Sequence, residues 1–186
     1  MKVRRSLTWL VVLAVLAGAL LTGLRLLVYS LYPLAYEESL FQRAREQQLD
    51  PYLVAAVIRA ESRFRPRATS PQGARGLMQV MPETGQWAAE QMKLPFHPDY
   101  LYDPDYNIRI GCWYLANLLK EFDGDPVLAL AAYNAGRNNV RKWLAERRWT
   151  GEGHTLEQIP FPETRHYVAV VLRDYQRYLW LYGQHR

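Results

Sequence analysis

From Glu37 onward the apolar residues recur at helical spacing, and no run alternates apolar with polar over the length of a strand. That single property confines the chain to a mainly α fold, because a sheet needs the period-two pattern to bury one face. Two Asp-Pro pairs, Asp50-Pro51 and Asp125-Pro126, have the form of an N-cap acid followed by a proline whose missing N–H a first helical turn does not need. The spacing predicts helices over about 36–48, 50–64, 82–92, 107–122, 138–149 and 162–182, with one more starting at Asp125. A loop rich in Pro, Gly, Arg and Ser covers 65–76, and a loose stretch covers 150–160. No internal repeat is present, so residues 36–186 read as one helical domain.

The first 35 residues have a different character. Ser6 to Leu24 are 19 residues without a charge, and at about 1.5 Å per residue a helix of that length crosses most of a ~30 Å hydrocarbon core. Apolar character resumes after Arg25, so residues 6–28 form the expected transmembrane segment, a single pass through the cytoplasmic membrane. Lys2, Arg4 and Arg5 precede it, which keeps the N-terminus inside and exports residues 36–186 to the cell-wall side. Tyr29, Tyr32 and Tyr36 suit the membrane exit. A cleaved signal peptide is the competing reading, since Ala17-Gly18-Ala19 has the small-x-small form of a cleavage site. The apolar run continues past it through Leu20, Leu21 and Leu24, which favours an uncleaved anchor.

The net charge of +5 is concentrated near that segment: without Lys2, Arg4, Arg5 and Arg25, 19 basic residues face 18 acidic ones. No basic patch interleaved with aromatics remains, so nucleic acid is not an expected partner. Cys112 is the only cysteine, which rules out an internal disulfide and a cysteine-rich zinc site. The four histidines are scattered, and the chain carries no nucleophile-elbow, phosphate-loop or metalloprotease motif.

One residue breaks the pattern. In the helix opened by Asp50-Pro51 the apolar stripe runs through Val54, Val57 and Ile58, and Glu61 falls on the same stripe. A carboxyl on a face that should be buried is desolvated, which penalises its charged form and keeps it protonated at higher pH. Donating a proton to a glycosidic oxygen needs such a group. The other reading places Glu61 at the stripe's edge, paired with Arg59, Arg63 or Arg65.

Around Glu61 the chain resembles the catalytic domain of soluble lytic transglycosylases, a family related in fold to goose-type lysozymes. Three stretches carry the resemblance. The first is Glu61-Ser62 with Ser70-Pro71-Gln72-Gly73-Ala74-Arg75-Gly76-Leu77-Met78-Gln79-Val80-Met81-Pro82. The second is Ala131-Ala132-Tyr133-Asn134-Ala135-Gly136, and the third runs from Ile159-Pro160 through Glu163-Thr164-Arg165-His166-Tyr167 to Val168. It covers nearly everything from about residue 42 to 182 and implies a single lysozyme-like, all-helical catalytic domain behind the membrane anchor.

The resemblance also implies an activity: non-hydrolytic cleavage of the β-1,4 bond between N-acetylmuramic acid and N-acetylglucosamine in peptidoglycan, leaving 1,6-anhydromuramic ends. Glu61 becomes the sole catalytic acid and base. Ser70, Gln79, Met81, Tyr133, Asn134, Glu163 and Tyr167 become substrate-binding residues, with no metal and no cofactor. From its chemistry, Tyr133 is suited to hydrogen-bond Glu61 or else to pack in the core before a turn, and Gln79 to serve an N-acetyl or hydroxyl group or else to brace its own loop. Two alternatives stand beside this: a lysozyme-like muramidase that uses water, and a membrane-anchored wall-binding protein without turnover.

Overall fold

The structure, a computed structural model, describes residues 2–183, without the side chains of 2–12 and 14. Two units divide it. The first, Met1–Leu34, contains α1 (Lys2–Leu31). Leu16, Leu20, Leu21, Leu24, Leu27 and Leu31 on that helix are all more than half exposed. Among the described residues no helix is long and apolar enough to cross a membrane, so the expected transmembrane span finds no support here. Ser6 to Val12 and Ala14, which supply much of its apolar run, lie outside the described side chains.

The second unit, Ala35–Arg186, is mainly α as expected: α2 (Glu37–Glu46), α3 (Pro51–Ser62), α4 (Pro82–Gln91), α5 (Pro104–Glu121), α6 (Pro126–Ala135), α7 (Arg137–Ala145) and α8 (Pro162–Tyr182). Short 3-10 turns cover Pro98–Tyr102 and Gly153–Gln158. The only extended pairing among the described residues is two isolated antiparallel bridges, Thr69 with Arg75 and Arg75 with Val80, within the loop before α4.

Both expected Asp-Pro starts are present. The Asp50 carboxylate accepts from Tyr52 N at 2.8 Å, and that of Asp125 accepts from Val127 N at 2.7 Å. Each such cap is worth about 1 kcal/mol. A third pair, Asp103-Pro104, works in the same way, with Asp103 accepting from Tyr106 N, so α5 begins at Pro104 rather than at Asn107. The expected helix to residue 149 is a second correction, because α7 stops at Ala145. Arg147 turns left-handed (φ 55°), and Trp149 is buried beyond the helix end, where its indole N–H donates to Thr155 Oγ1 at 3.1 Å.

Helix α3 is the central element, buried on every side from Tyr52 to Ile58 rather than along one stripe. It packs against α8 and α2, while α6 packs against α8, α5 and α7. Burying a Val, Leu or Ile side chain contributes about 1.5–3 kcal/mol, so the run Leu53, Val54, Val57 and Ile58 fixes this helix firmly. Arg59 pairs with the fully buried Asp174 of α8 and adds a polar tie between the same two helices. Glu61 and Ser62 therefore sit at the end of a firmly anchored, deeply buried helix.

Candidate active site

Past Ser62 the backbone turns sharply, with Arg63 (φ 53°) and Phe64 (φ 59°) both left-handed. Non-glycine residues in that conformation each carry about 1–2 kcal/mol of strain. The buried Phe64 ring holds the turn, and the chain leaves the end of α3 as a loop that returns at Pro82. Loop and helix ends enclose a cleft of about 580 Å³. Glu61, Ser70, Gln79, Met81, Tyr133, Asn134 and Glu163 all line it, with Phe161 and Thr164 nearby. Residues spread over a hundred positions of the sequence thus meet at one place. Met78, the other methionine of the motif, is core.

The reading in which Glu61 pairs with a neighbouring arginine does not hold. Arg59 goes to Asp174, Arg65 Nε donates to Ser62 O at 3.0 Å, and among the described residues no arginine forms an ion pair with Glu61. Burial pushes its carboxyl up to about 7, and the negative charge of Glu163 adds to the rise. The Tyr167 hydroxyl acts in the opposite direction. It is buried beside Glu61 and makes no hydrogen bond of ordinary length and angle. A carboxyl with this pKa is protonated in about half of the molecules at neutral pH and can take its proton back once lost, as an acid and base acting in turn must.

Tyr133 departs from the first of its two expected roles. A hydroxyl has one proton to donate, and that of Tyr133 goes to Met78 O at 2.8 Å rather than to Glu61. Tyr133 therefore ties α6 to the cleft loop, and Tyr167 is the hydroxyl that bears on Glu61. Gln79 braces its own loop, the second of its two expected roles. It is itself left-handed (φ 46°), and its amide nitrogen donates to Gly76 O at 2.9 Å and Ala68 O at 3.2 Å, which directs the amide donors at its own loop. What remains for a ligand is chiefly the amide oxygen, an acceptor. Ser70 Oγ accepts from Ala74 N, and Asn134 Oδ1 accepts from Thr164 Oγ1 at 2.7 Å, joining the end of α6 to the start of α8. Glu163 is exposed in the first turn of α8.

Asn107 was not anticipated. It is fully buried in α5 and makes three hydrogen bonds: it accepts from Met78 N at 2.7 Å and donates to Leu101 O at 2.8 Å and Arg75 O at 2.9 Å. These hold the loop that carries Ser70, Gln79 and Met81. Two glycines allow the close fit. A Cβ on Gly76 (φ 76°) would lie 2.0 Å from Leu101 O, and one on Gly111 would lie 2.3 Å from Met78 Sδ. The signal for Asn107 was present, a polar residue one position before the buried Ile108, but it was read as a helix end.

Helix order, central buried helix and cleft define a lysozyme-like helical domain with a high-pKa carboxyl at the head of a groove. The transglycosylase SLT domain family matches residues 32–155, and the chain belongs to that family. Among its relatives is the soluble lytic murein transglycosylase of Salmonella typhimurium, 36% identical over 82% of this chain and 24% of the relative. The crystal structure of the 70 kDa soluble lytic transglycosylase of Escherichia coli superposes with a TM-score of 0.76 at 34% identity, over 84% of this chain and 26% of that one. An inactive glutamate-to-glutamine mutant of the lytic transglycosylase Slt of Pseudomonas aeruginosa gives 0.73 at 37%, over 80% and 24%. The chain thus spans about a quarter of the length of these relatives.

Proposed function

We propose that this chain is a peptidoglycan lytic transglycosylase with Glu61 as its catalytic acid and base. One observation carries the reading: a carboxyl raised to about 7 stands at the cleft end of a buried helix, in a groove whose only other lining carboxylate among the described residues is the exposed Glu163. Protonated Glu61 gives its proton to the oxygen between N-acetylmuramic acid and N-acetylglucosamine. That C–O bond breaks and the glucosamine side leaves as an alcohol. Positive charge develops at muramic C1, where the neighbouring N-acetyl group can share it. The muramic C6 hydroxyl then bonds to C1 and returns its proton to Glu61, which closes the 1,6-anhydro ring and restores the enzyme. Every proton comes from Glu61 or the sugar, so the scheme uses no metal and no cofactor.

In this reading Gln79 accepts a hydrogen bond from an N-acetyl N–H or a hydroxyl. Ser70, Met81, Tyr133, Asn134 and Glu163 form the groove, and Tyr167 tunes Glu61. The inactivity of the Pseudomonas aeruginosa glutamate-to-glutamine mutant is consistent with an essential carboxyl in this family. We further propose that α1 holds the domain at the outer face of the cytoplasmic membrane. Its 30 residues make about 45 Å of helix, and its leucines from Leu13 onward, those whose side chains are described, are exposed. General acid–base groups contribute about 10²–10⁴-fold. Purified Glu61→Gln should therefore digest isolated walls at about 10⁻⁴ of the parent rate while keeping its fold; a folded variant with near-parent activity overturns the assignment.

A further inference from the structure

Beyond the groove around Glu61, a row of rings leads outward. Tyr133 lies 5.4 Å from Tyr114 between ring centroids, Tyr114 lies 6.3 Å from Trp87, and Trp87 lies 5.0 Å from Trp113. Only Tyr133 lines the cleft itself; the other three are half-buried on α4 and α5. The Arg137 guanidinium lies 4.9 Å from the Trp87 centroid and 5.6 Å from that of Tyr114. Its Nη1 meets Glu121 Oε2 at 3.0 Å. The Gly136 turn (φ 87°) separates Arg137 from the cleft-lining Ala135. The cluster therefore adjoins the groove on the side where α4 and α6 end it.

Its charge does not balance internally. Glu121 is nearly buried and is shared by Arg137 and by Arg141, whose Nη2 lies 2.9 Å from Glu121 Oε1. Two guanidiniums against one carboxylate leave one positive charge, next to a groove whose own ionisable lining groups, Glu61 and Glu163, are acids. Two rings within cation–π reach, together with Glu121, hold the Arg137 guanidinium in place, and a guanidinium so held suits paired hydrogen bonds to a carboxylate. A scaffold arginine needs only its counter-ion. Here the site adds two aromatic supports and leaves over a quarter of the side chain exposed.

We infer that Arg137, seated on Trp87 and Tyr114, is a carboxylate-binding subsite that engages the acidic peptide substituent of a glycan strand lying in the groove. This rests on the peptidoglycan reading and deepens it: the groove holds sugars, and the Arg137 site selects strands whose substituents carry free carboxylates.

The test uses the full chain in the Glu61→Gln background, so that binding is read without turnover, and purified uncrosslinked strands in two forms. One form is native; in the other the carboxylates are converted to neutral amides with carbodiimide and methylamine. Adding Arg137→Gln should weaken binding to native strands about tenfold, and leave binding to amidated strands unchanged. Converting the carboxylates should itself weaken binding of the Arg137-intact chain by the same factor, so the two changes are not additive. Arg137→Lys, which keeps the charge but not the planar fork, should fall between. In the active chain, Arg137→Gln should raise KM on native strands rather than lower kcat. Equal loss on both forms assigns Arg137 a structural role and overturns the proposal, as does no loss on native strands. If the chain with Glu61 intact binds strands but releases no products, the catalytic reading fails and the carboxylate comparison still decides this one.

Discussion

Replacing Asn107 with Asp changes one atom's chemistry and almost nothing of the side chain's shape. The carboxylate can still accept from Met78 N, but the second oxygen faces Leu101 O and Arg75 O, to which the amide donated. Leu101 O, in a buried setting, loses its donor, while Arg75 O keeps the hydrogen bond from Val80 N at 3.0 Å. At about 1–3 kcal/mol for the unsatisfied Leu101 O, and more for a carboxylate charge buried against two carbonyls, the loss at pH 8 is about 2–4 kcal/mol, a large share of a domain stability of about 5–15 kcal/mol. The loss depends on pH in a definite direction. Burial raises the folded-state pKa of the new carboxyl above its unfolded value of about 3.9. Below that value both states are protonated, the acid O–H donates to one of the two carbonyls, and the deficit shrinks to about 1 kcal/mol. It grows as pH rises above 3.9 and levels off above the folded pKa. Urea unfolding of parent and Asn107→Asp at pH 4 and pH 8 measures this directly, and wall digestion should fall with the loop that carries Ser70, Gln79 and Met81. A deficit below about 1 kcal/mol at pH 8, or one of equal size at both pH values, would refute the role given to Asn107.

Glu61 itself trades stability for its pKa. Raised from 4.5 to about 7, it destabilises the fold as pH climbs from 4.5 to 7, by up to about 3 kcal/mol; Glu61→Gln should match the parent at pH 4 and exceed it at pH 8, as denaturant midpoints will show. Because the protonated form is the working one, the parent's rate of wall digestion should decline as pH rises above 7. Tyr167→Phe removes the group that lowers the Glu61 pKa, so a pH–rate profile of the variant should show that decline displaced to higher pH. The full-length chain should remain with membranes after a high-salt wash, and protease added outside protoplasts should degrade residues 36–186; release into the wash argues against α1 as an anchor.

The fold was legible where local chemistry acts alone. Asp50-Pro51 and Asp125-Pro126 announced two helices because a cap and a proline at the first turn need nothing from the rest of the chain. Asp103-Pro104 carried the same signal and was passed over, and the end of α7 was misplaced because the burial of Trp149 against Thr155 is a tertiary matter. Glu61 stood out because a carboxyl on an apolar stripe is anomalous in one dimension. Six of its seven expected partners line the groove and the seventh, Tyr167, is buried beside Glu61; all were legible only through family resemblance, since spacing cannot say that Glu163 and Ser70 share a cleft. The partner of the Tyr133 hydroxyl was misassigned for a similar reason: sequence shows a donor, while geometry directs it to Met78 O. The Arg137 cluster was not legible at all, because α4, α5 and α7 must pack before Trp87, Tyr114 and Arg137 meet.

The central claim is that an internal hydroxyl, rather than water, takes the place of the departing sugar. A retaining hydrolase normally places a second carboxylate about 5–5.5 Å from the acid, and an inverting one places a base about 6.5–9.5 Å away to activate water. Among the described residues the cleft offers only Glu163, exposed in the first turn of α8. A tethered C6 hydroxyl needs neither arrangement and avoids the entropy loss of positioning a water. The most direct measurement is mass spectrometry of the muropeptides that the full chain releases from purified walls without added muramidase. The account predicts 1,6-anhydromuramic ends, each product one water lighter than its hydrolytic counterpart; products dominated by reducing muramic ends would contradict it.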